Sequence, residues 1–440
     1  MKLTQIIADI ICKTLMDPKV LDKARRRKGA FTRNCKKLPF WTVMKLLMSN
    51  IKKSISATLD EFFTSLRKGA GMSPSQTPTC SQQAFSKARS GIDHSIFQEC
   101  FNRVLDFLCS PDSHDFHKRL FGQWGIQPIA IDGSKIPLPN RKFLLEKYGG
   151  MGRDSSSPTA IASTAYDVLN ELILDAQFES LSVDERTLAM RHMEEIKTKN
   201  RVNLSYAMFI FDRGYASKEL ITFIDKSIQT SYLFRVKNKF NNKIDRMPEP
   251  QNNDDVIDQT VELYEGIKVR VLRFYLPSGI LETLITNDFQ HDKSLFKSLY
   301  FLRWPTEEEY KLIKSKIGLT CFRGWSENSI KQEFWIAMLL TNLANVIKRE
   351  TDGIIKDKHA HNKESKLDYK TNMNELAGAL SRHFPEYMDV DTTTQKLEII
   401  KHIFNFAINN PVRDKKGCGK SYPRQEPRNT KWHYNVKYTH

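Results

Sequence analysis

Residues 206–215 read YAMFIFDRGY, and this stretch decides the class of fold. Its first half is a short apolar run, which is typical of a strand buried on both faces of a parallel sheet. The run ends in Asp212-Arg213-Gly214, a sequence that favours a turn. The stretch therefore predicts a central strand that ends in an aspartate, within an α/β or α+β fold.

Strand and helix patterns alternate on both sides of this stretch. Alternating residues predict three strands before it, two of which are joined near Leu169–Glu171. A helix and a strand follow it, and a three-stranded β-meander then interrupts the α/β pattern, so we interpret that block as an insertion. Helical periodicity predicts further helices at residues 1–67, at 81–109 with a break at Gly91 and Asp93, and after residue 291.

The composition indicates a folded protein with an anionic partner. Forty per cent of the residues are hydrophobic and 10% are aromatic, which excludes intrinsic disorder. The formal charge of +17 favours nucleic acid as the partner over a membrane surface. No apolar run reaches spanning length, and Asp9 interrupts the apolar N-terminal stretch, so neither a signal peptide nor an anchor is expected.

Positive charge is concentrated near the N-terminus. Residues 23–53 contain eleven Lys or Arg and no acid. A solvated helix face is one interpretation, but so long a segment of one sign favours contact with phosphates. The candidate DNA-binding residues in it are Arg25, Arg26, Arg27, Lys28, Arg33, Lys36 and Lys37.

The cysteine pattern argues against a disulfide framework and against a zinc ribbon. The seven cysteines are odd in number and scattered, with no C-x2-4-C pair. Reduced thiols in a cytoplasmic protein are the simplest interpretation.

Two aspartates lie where predicted strands end, Asp132 in AIAIDGS and Asp212 in FIFDRGY. Loops at the strand ends of an open sheet converge, and ligands collect there. One such aspartate is usually a turn or cap residue, but two of them followed by an acidic helix suggest a three-carboxylate magnesium site. Arg213 either contacts phosphate or pairs with the aspartate before it.

The third carboxylate is expected in YFLRWPTEEEYKLIK, residues 300–314. At about 100° per residue, Glu307 shares one stripe with Tyr300, Arg303 and Lys314, whereas the next two glutamates fall outside it. Intrahelical salt bridges worth about 0.3–0.5 kcal/mol each are the alternative interpretation. Pro305 disfavours helix at the residue before it and would offset these angles.

The spacing Tyr300-x2-Arg303-x3-Glu307-x6-Lys314 resembles the Tyr-Arg-Glu-Lys signature of the insertion-sequence-four family of bacterial DDE transposases. AIDGSKIPLP and FDRGYASKEL resemble the segments of this family that carry the first and second aspartates. QAFSKAR (83–89) and the helices after Glu307 are also similar, so the resemblance spans roughly residues 30–350.

This resemblance implies an RNase H-like catalytic core that a β insertion interrupts. It implies that Asp132, Asp212 and Glu307 bind two Mg²⁺ ions, for which Mn²⁺ could substitute. Tyr300, Arg303 and Lys314 would contact the terminal DNA of the element. The implied activity is cleavage at transposon ends and strand transfer into target DNA by a homodimer on double-stranded DNA, in the bacterial cytoplasm and associated with the nucleoid.

Three regions are expected from the resemblance and the patterns together. Residues 1–120 form a helical DNA-binding region, and residues 121–350 form the catalytic core, interrupted by the insertion at 239–280. Residues 351–440 form a C-terminal helical region with a basic tail.

One departure from the family concerns the insertion. Some members excise through a hairpin intermediate and stack a flipped base on a tryptophan there, but no tryptophan lies between Asp212 and Trp304. The aromatic residues that could stack instead are Phe240, Tyr264, Phe274 and Tyr275.

Two other classes of function remain open besides transposition. A decayed or repurposed copy would bind DNA without cutting it, and a structure-selective nuclease would cut DNA without joining it. The presence of all three carboxylates and of the complete signature favours the transposase.

Overall fold

The fold is described from a computed structural model. The structure describes residues 2–31, 38–49, 54–69, 80–110, 113, 125–264, 266–302, 322–360 and 368–414. Glu307, Arg303, Lys314, Arg33, Lys36, Lys37 and most of the basic tail lie outside these ranges.

A nine-stranded mixed sheet lies at the centre of the described chain. Its strands are β1 (Gln127–Pro137), β2 (Gly150–Met151), β3 (Ser157–Asp167), β4 (Leu172–Ser180), β5 (Ala207–Phe211), β6 (Ser231–Arg235), β7 (Ile257–Tyr264), β8 (Ile267–Tyr275) and β9 (Leu281–Thr286). The sheet order is β2-β3-β1-β5-β6-β9-β8-β7, with β4 also paired to β3. A second, two-stranded sheet joins β10 (Tyr369–Lys370) to β11 (Val412–Arg413).

The pairing directions explain why YAMFIFDRGY is so apolar. β5 pairs in parallel with β1 on one side and with β6 on the other, so it is a central strand. All five of its residues are buried. β3 pairs antiparallel with the opposite edge of β1, and β4 pairs antiparallel with β3, as the turn near Leu169–Glu171 predicts.

The β-meander continues the central sheet. β9 pairs antiparallel to β6, and β8 and β7 follow it outward. The sequence breaks the α/β pattern here because β7, β8 and β9 follow one another through short turns, one of them at Gly279 with φ of 77°. Between β6 and β7, where a loop is expected, Asn242–Asp245 form one helical turn.

Along the chain, helices precede the sheet strands, alternate with them and follow them. They are α1 (Lys2–Met16), α2 (Pro18–Ala24), α3 (Phe40–Met48), α4 (Ile55–Gly69), α5 (Gln82–Arg89), α6 (Ser95–Leu108), α7 (Lys142–Tyr148), α8 (Glu185–Thr198), α9 (Lys218–Phe223), α10 (Asn242–Asp245), α11 (Lys293–Phe301), α12 (Glu327–Ala360), α13 (Met373–Tyr387) and α14 (Thr393–Asn409). The break between α5 and α6 falls at Gly91 and Asp93, as the sequence predicts.

Alternate residues of β5 face two different hydrophobic cores. Phe209 and Phe211 belong to a large core that also contains residues of α8, α12 and the N-terminal helices. Met208 and Ile210 belong to a smaller core, which α11 closes with Leu295, Phe296 and Leu299. Because side chains alternate between the faces of a strand, residue 212 lies on the α11 side of the sheet.

The N-terminal and C-terminal helices pack against each other. Lys45 on α3 lies 2.6 Å from Asp389, and Asp9 on α1 accepts hydrogen bonds from Tyr387 (2.9 Å) and Lys396 (2.8 Å). The two helical regions are therefore in contact. The boundaries expected at residues 120 and 350 stay a prediction.

Two further expectations concern cysteines and membranes. Cys12, Cys80, Cys100 and Cys109, the cysteines in the described ranges, are all free thiols, in agreement with the cysteine pattern. Within the same ranges, no helix has the length and hydropathy that crossing a bilayer requires.

Candidate active site

Asp132 lies within β1, and Asp212 directly follows the adjacent parallel strand β5. The expectation that Asp132 ends a strand is therefore wrong, because β1 continues to Pro137. Ala130 of β1 pairs in register with Ile210 of β5, and each aspartate follows two residues later. Because the strands are parallel and side chains alternate, both carboxylates belong to the α11 side of the sheet. Asp132 Oδ1 also accepts a hydrogen bond from the Gly133 amide at 2.9 Å. The pairing of β1 with β5 thus places the two aspartates that the sequence singles out in neighbouring segments of the sheet.

A network buried on the other face supports Asp132 from behind. Ser163, opposite Gly133 in register, donates a hydrogen bond to the backbone carbonyl of Asp132 at 3.2 Å. His192 on α8 lies between Ser163 (Nε2 to Oγ, 2.9 Å) and Asp175 (Nδ1 to Oδ2, 2.5 Å). Ser163 and His192 are fully buried, so this Ser-His-Asp arrangement cannot reach a substrate. It fixes the strand that carries Asp132.

A glutamate absent from the sequence analysis lies close to the pair. Glu185 is the first residue of α8, and its Oε1 is 3.0 Å from the position that a Cβ on Gly133 would occupy. Glycine at 133 therefore leaves room for this carboxylate beside β1. Burial raises the pKa of Glu185, Lys135 opposes that rise, and the charges of Asp184 and Asp212 add to it.

Two cations and one buried carboxylate surround Asp212 on the α11 side. Arg235, at the end of β6, lies 3.5 Å from Asp212 (Nη1 to Oδ1). Its other edge pairs with Glu282 of β9, at 2.7 Å for Nε to Oε1 and 2.5 Å for Nη2 to Oε2. Burial alone would lower the pKa of Arg235, but the hydrogen bond and charge of Glu282 outweigh burial and raise it. Arg213 also pairs with Glu282, at 3.3 Å, and not with the aspartate before it.

Tyr300 joins this group from α11. Its hydroxyl donates to Glu282 Oε2 at 3.1 Å, and the Arg235 guanidinium carbon lies 5.5 Å from the centre of its ring. Phe274 contacts the same ring edge to face, with centroids 6.2 Å apart. The structure therefore brings Tyr300 to the strand ends that carry Asp212.

The helix of Tyr300 does not continue to the other signature residues. α11 ends at Phe301, with Leu302 as its C-cap. The stripe that links Tyr300 to Lys314 assumes one uninterrupted helix. Because α11 ends at Phe301, periodicity alone does not place these residues on one face. Pro305, which disfavours helix at Trp304, supplies a physical reason for an end in this region. Glu307, Arg303 and Lys314 lie beyond the described ranges, and their roles stay predictions.

The described carboxylates supply part of the ligand set that a hard divalent cation requires. Carboxylate oxygens are the ligands that Mg²⁺ prefers, and Asp132 and Asp212 offer them from adjacent strands. Within the described ranges, no three His, Cys, Asp or Glu residues are close enough together to hold a metal ion. The expected third ligand, Glu307, lies outside those ranges.

The basic N-terminal candidates occupy a different part of the chain. Arg25 pairs with Asp22 at 2.7 Å, Arg26 lies 3.8 Å from Asp93, and Arg27 donates to the Ser90 hydroxyl at 3.1 Å. Lys28 is exposed. The contacts of Arg26 and Arg27 go to the α5–α6 connection, and Arg25 pairs with an aspartate of α2, so this basic cluster is separate from the residues around Asp212.

The candidates for base stacking differ in accessibility. Phe274 is fully buried in the smaller core, so it is unavailable to a base. The Tyr275 hydroxyl donates to Glu249 at 2.8 Å, and Lys218 lies over the Tyr264 ring at 5.8 Å. Tyr264, Tyr275 and Phe240 are each half-buried.

The family model described as "Transposase DDE domain" matches residues 123–343, just over half of the chain. The chain belongs to the DDE transposase family. The matched segment contains Asp132, Asp212, the β-meander and α11. No curated protein matches the sequence of this DDE transposase.

A solved transposase has a similar fold. The piggyBac transposase, determined by cryo-EM as a synaptic complex with hairpin DNA, superposes on this chain with a TM-score of 0.50. The similarity covers 91% of this chain and 85% of that one, at 10% sequence identity. At that identity the likeness establishes a DDE transposase fold and nothing about the DNA substrate.

Sequence reasoning missed Arg235, Glu282 and Glu185. Each is a single charged residue in a strand or helix of ordinary pattern. One signal was available: Glu282 and Arg235 occupy positions in β9 and β6 whose neighbours two residues away, Leu284 and Leu233, are core residues. A charge at a core-facing position requires a partner.

Proposed function

We propose that this DDE transposase is an enzyme of the insertion-sequence-four type, which binds transposon ends, cleaves them and transfers the strands to target DNA. The observation that supports the proposal is the parallel pairing of β1 with β5, in which Ala130 lies opposite Ile210 and each aspartate follows two residues later. An RNase H-like core agrees with this placement, because β1, β3 and β4 are antiparallel and β5 and β6 are parallel to β1.

The site residues divide into carboxylates and DNA contacts. Asp132, Asp212 and Glu307 would hold two Mg²⁺ ions, and Tyr300, Arg303, Lys314 and Arg213 would contact the DNA near the cleaved bond. Bound Mg²⁺ supplies Lewis-acid activation of the attacking and leaving oxygens of a phosphodiester. The neighbouring guanidinium groups would orient the phosphate, since arginine recognises phosphate oxygens through paired N–H donors.

The DNA partner follows from the charge. A formal charge of +17 and a sequence pI near 9.4 favour binding to a polyanion. Arg25, Arg26, Arg27, Lys28, Arg33, Lys36 and Lys37 would contact phosphates away from the cleaved bond. The proposal includes a homodimer on paired transposon ends, with Mn²⁺ able to replace Mg²⁺.

The test is cleavage of a duplex that carries the end of the element, with Mg²⁺ or Mn²⁺. E307Q is expected to lower the cleavage rate at least a thousandfold and to bind the duplex within threefold of the wild type. E308Q is the matched control, since the Tyr-Arg-Glu-Lys spacing falls on Glu307 and not on Glu308, and it should cleave within threefold of the wild type. E307Q protein that still cleaves well would refute the assignment of Glu307.

The products distinguish the remaining functions. Cleavage at the end followed by joining to a target plasmid supports transposition. Cleavage without joining would identify a nuclease, and binding without cleavage would identify a repurposed DNA-binding protein. Gel analysis of end-labelled duplexes separates these three outcomes.

A further inference from the structure

Glu282 is the most deeply buried carboxylate beside the candidate active site. Its side chain is 1% exposed, and it lies among Arg213, Arg235 and Tyr300. A buried carboxylate is costly unless cations and hydrogen-bond donors surround it. Here each of its oxygens receives at least one donor, so the negative charge is well compensated.

The way Glu282 holds Arg235 leaves one edge of the guanidinium available. Nε and Nη2 both point to Glu282, which is the paired arrangement that arginine makes with carboxylates. Nη1 is directed instead towards Asp212, at 3.5 Å, a distance too long for a strong hydrogen bond. Arg235 is therefore held firmly by Glu282 and only loosely by Asp212.

This difference matters because Asp212 has a competing role. A carboxylate already paired with arginine gives up that ion pair when it binds a metal ion. If Glu282 were neutral, the buried guanidinium would lose its main partner, and Asp212 is the next carboxylate within reach. A small movement would convert the 3.5 Å contact into a close ion pair, which would oppose cation binding at Asp212.

We propose that Glu282 is a positioning residue of the site: by fixing the Nε–Nη2 edge of Arg235, it keeps Asp212 available to a divalent cation and aims the Nη1 edge at a phosphate oxygen of the DNA. Tyr300 braces the same carboxylate from α11. The inference rests on the proposed function for the identity of the ligands, but its principal measurement does not require catalysis.

The principal measurement is binding of Mn²⁺ to the full-length protein without DNA, by electron paramagnetic resonance or calorimetry. E282Q is expected to weaken Mn²⁺ binding about tenfold, because Arg235 then pairs with Asp212. R235Q should bind Mn²⁺ as tightly as the wild type or more tightly. The double variant E282Q/R235Q should bind Mn²⁺ within about threefold of R235Q, since no guanidinium remains to compete.

A matched control separates this role from a general effect of breaking a buried ion pair. Asp258 of β7 holds Arg270 of β8 in the same paired way, with distances of 2.8 and 2.6 Å, in the outer part of the same sheet. D258N should leave Mn²⁺ binding unchanged. Equal weakening by D258N and E282Q would overturn the proposal.

The result that most directly contradicts the proposal is equal loss of Mn²⁺ binding on E282Q in the presence and in the absence of Arg235. If E282Q does not fold, E282D provides the second test, because it keeps the charge and should keep Mn²⁺ binding within threefold. Should the wild type bind Mn²⁺ but fail to cleave any end duplex, the proposed function fails while the role of Glu282 is still decided. Unchanged Mn²⁺ binding in folded E282Q refutes the role of Glu282 alone.

Discussion

At the scale of single residues, the surroundings of the two aspartates are asymmetric. On the α11 side, Arg213 and Arg235 place positive charge near Asp212, whereas Glu185 approaches β1 beside Gly133. Carboxylates that lie close together repel one another when ionised. The site therefore combines groups that attract a cation with groups that attract a phosphate.

The pKa of Glu185, which burial raises first and the charges of Asp184 and Asp212 raise further, can be tested through the pH dependence of stability. Its pKa is raised in the folded protein, so the folded state binds its proton more tightly than the unfolded state does. Stability that depends on Glu185 is accordingly greatest at acid pH, and it is lost as pH rises from the ordinary glutamate pKa through the raised value. E185Q removes this loss, and we expect it to be more stable than the wild type at pH 7.

The measurement is chemical denaturation of both proteins between pH 4 and pH 7. The advantage of E185Q should shrink towards zero at the acid end, where the folded wild type carries a protonated Glu185. E194Q, an exposed position on the same helix, is the control and should show no such trend. A stability difference that is independent of pH would contradict the raised pKa of Glu185.

At the scale of elements, the position of Tyr300 depends on how α11 packs. Leu295, Phe296 and Leu299 anchor this helix on Met208 and Ile210 of β5 in the smaller core. The helix begins at an Asp292 side chain that accepts from the Ser294 amide at 2.9 Å, and it ends one residue after Tyr300. A shift of α11 would therefore move the tyrosine away from Glu282.

L299A tests this coupling of packing to the site. Removing a fully buried leucine should reduce the free energy of unfolding by about 2–5 kcal/mol, because a cavity remains beside β5. We also expect slower cleavage of an end duplex at a temperature where the variant is folded, since Tyr300 loses its support. Denaturant titration gives the first quantity and single-turnover kinetics the second.

L299M is the matched variant, because methionine conserves volume and usually costs less than about 1.5 kcal/mol. It should cleave the duplex at nearly the wild-type rate. If L299A is destabilised as expected but cleaves at the wild-type rate, the packing of α11 does not determine the position of Tyr300.

The same elements show which features of the structure could be predicted from the sequence. Strands and helices were predictable where a continuous apolar run or a helical period dominated, as in β5 and α8 respectively, because burial imposes these patterns directly. The two aspartates were predictable because each follows a short apolar run in the sequence. The pairing of β9 with β6 was not, since it depends on contacts distant in sequence, and neither was the group formed by Arg235, Glu282 and Tyr300, which that pairing creates.

At the scale of the whole molecule, positive charge occurs in two places with different surroundings. The arginines near Asp212 share the buried Glu282, whereas the segment from Arg25 to Lys28 lies against the α5–α6 connection. Charges of the first kind are held in fixed geometry and would suit one phosphate at the proposed cleavage site. Those of the second kind suit phosphates farther along the duplex, which would strengthen binding without selecting a base.

Salt dependence distinguishes the second group. Each phosphate contact adds about 0.9 to the slope of log affinity against log salt concentration, because bound counterions are released. Within the basic segment, Arg27 donates to a neutral hydroxyl and Lys28 is exposed. Neither side chain therefore has to break an ion pair described above in order to bind DNA. R27Q/K28Q should therefore lower the slope by about 2 and weaken binding to end and unrelated duplexes alike.

Fluorescence anisotropy between 50 and 300 mM salt measures both effects. K199Q/K401Q, which changes two exposed lysines outside the segment, is the control. An unchanged slope in R27Q/K28Q would mean that the basic segment lies away from the DNA, and the excess positive charge would then act through other residues.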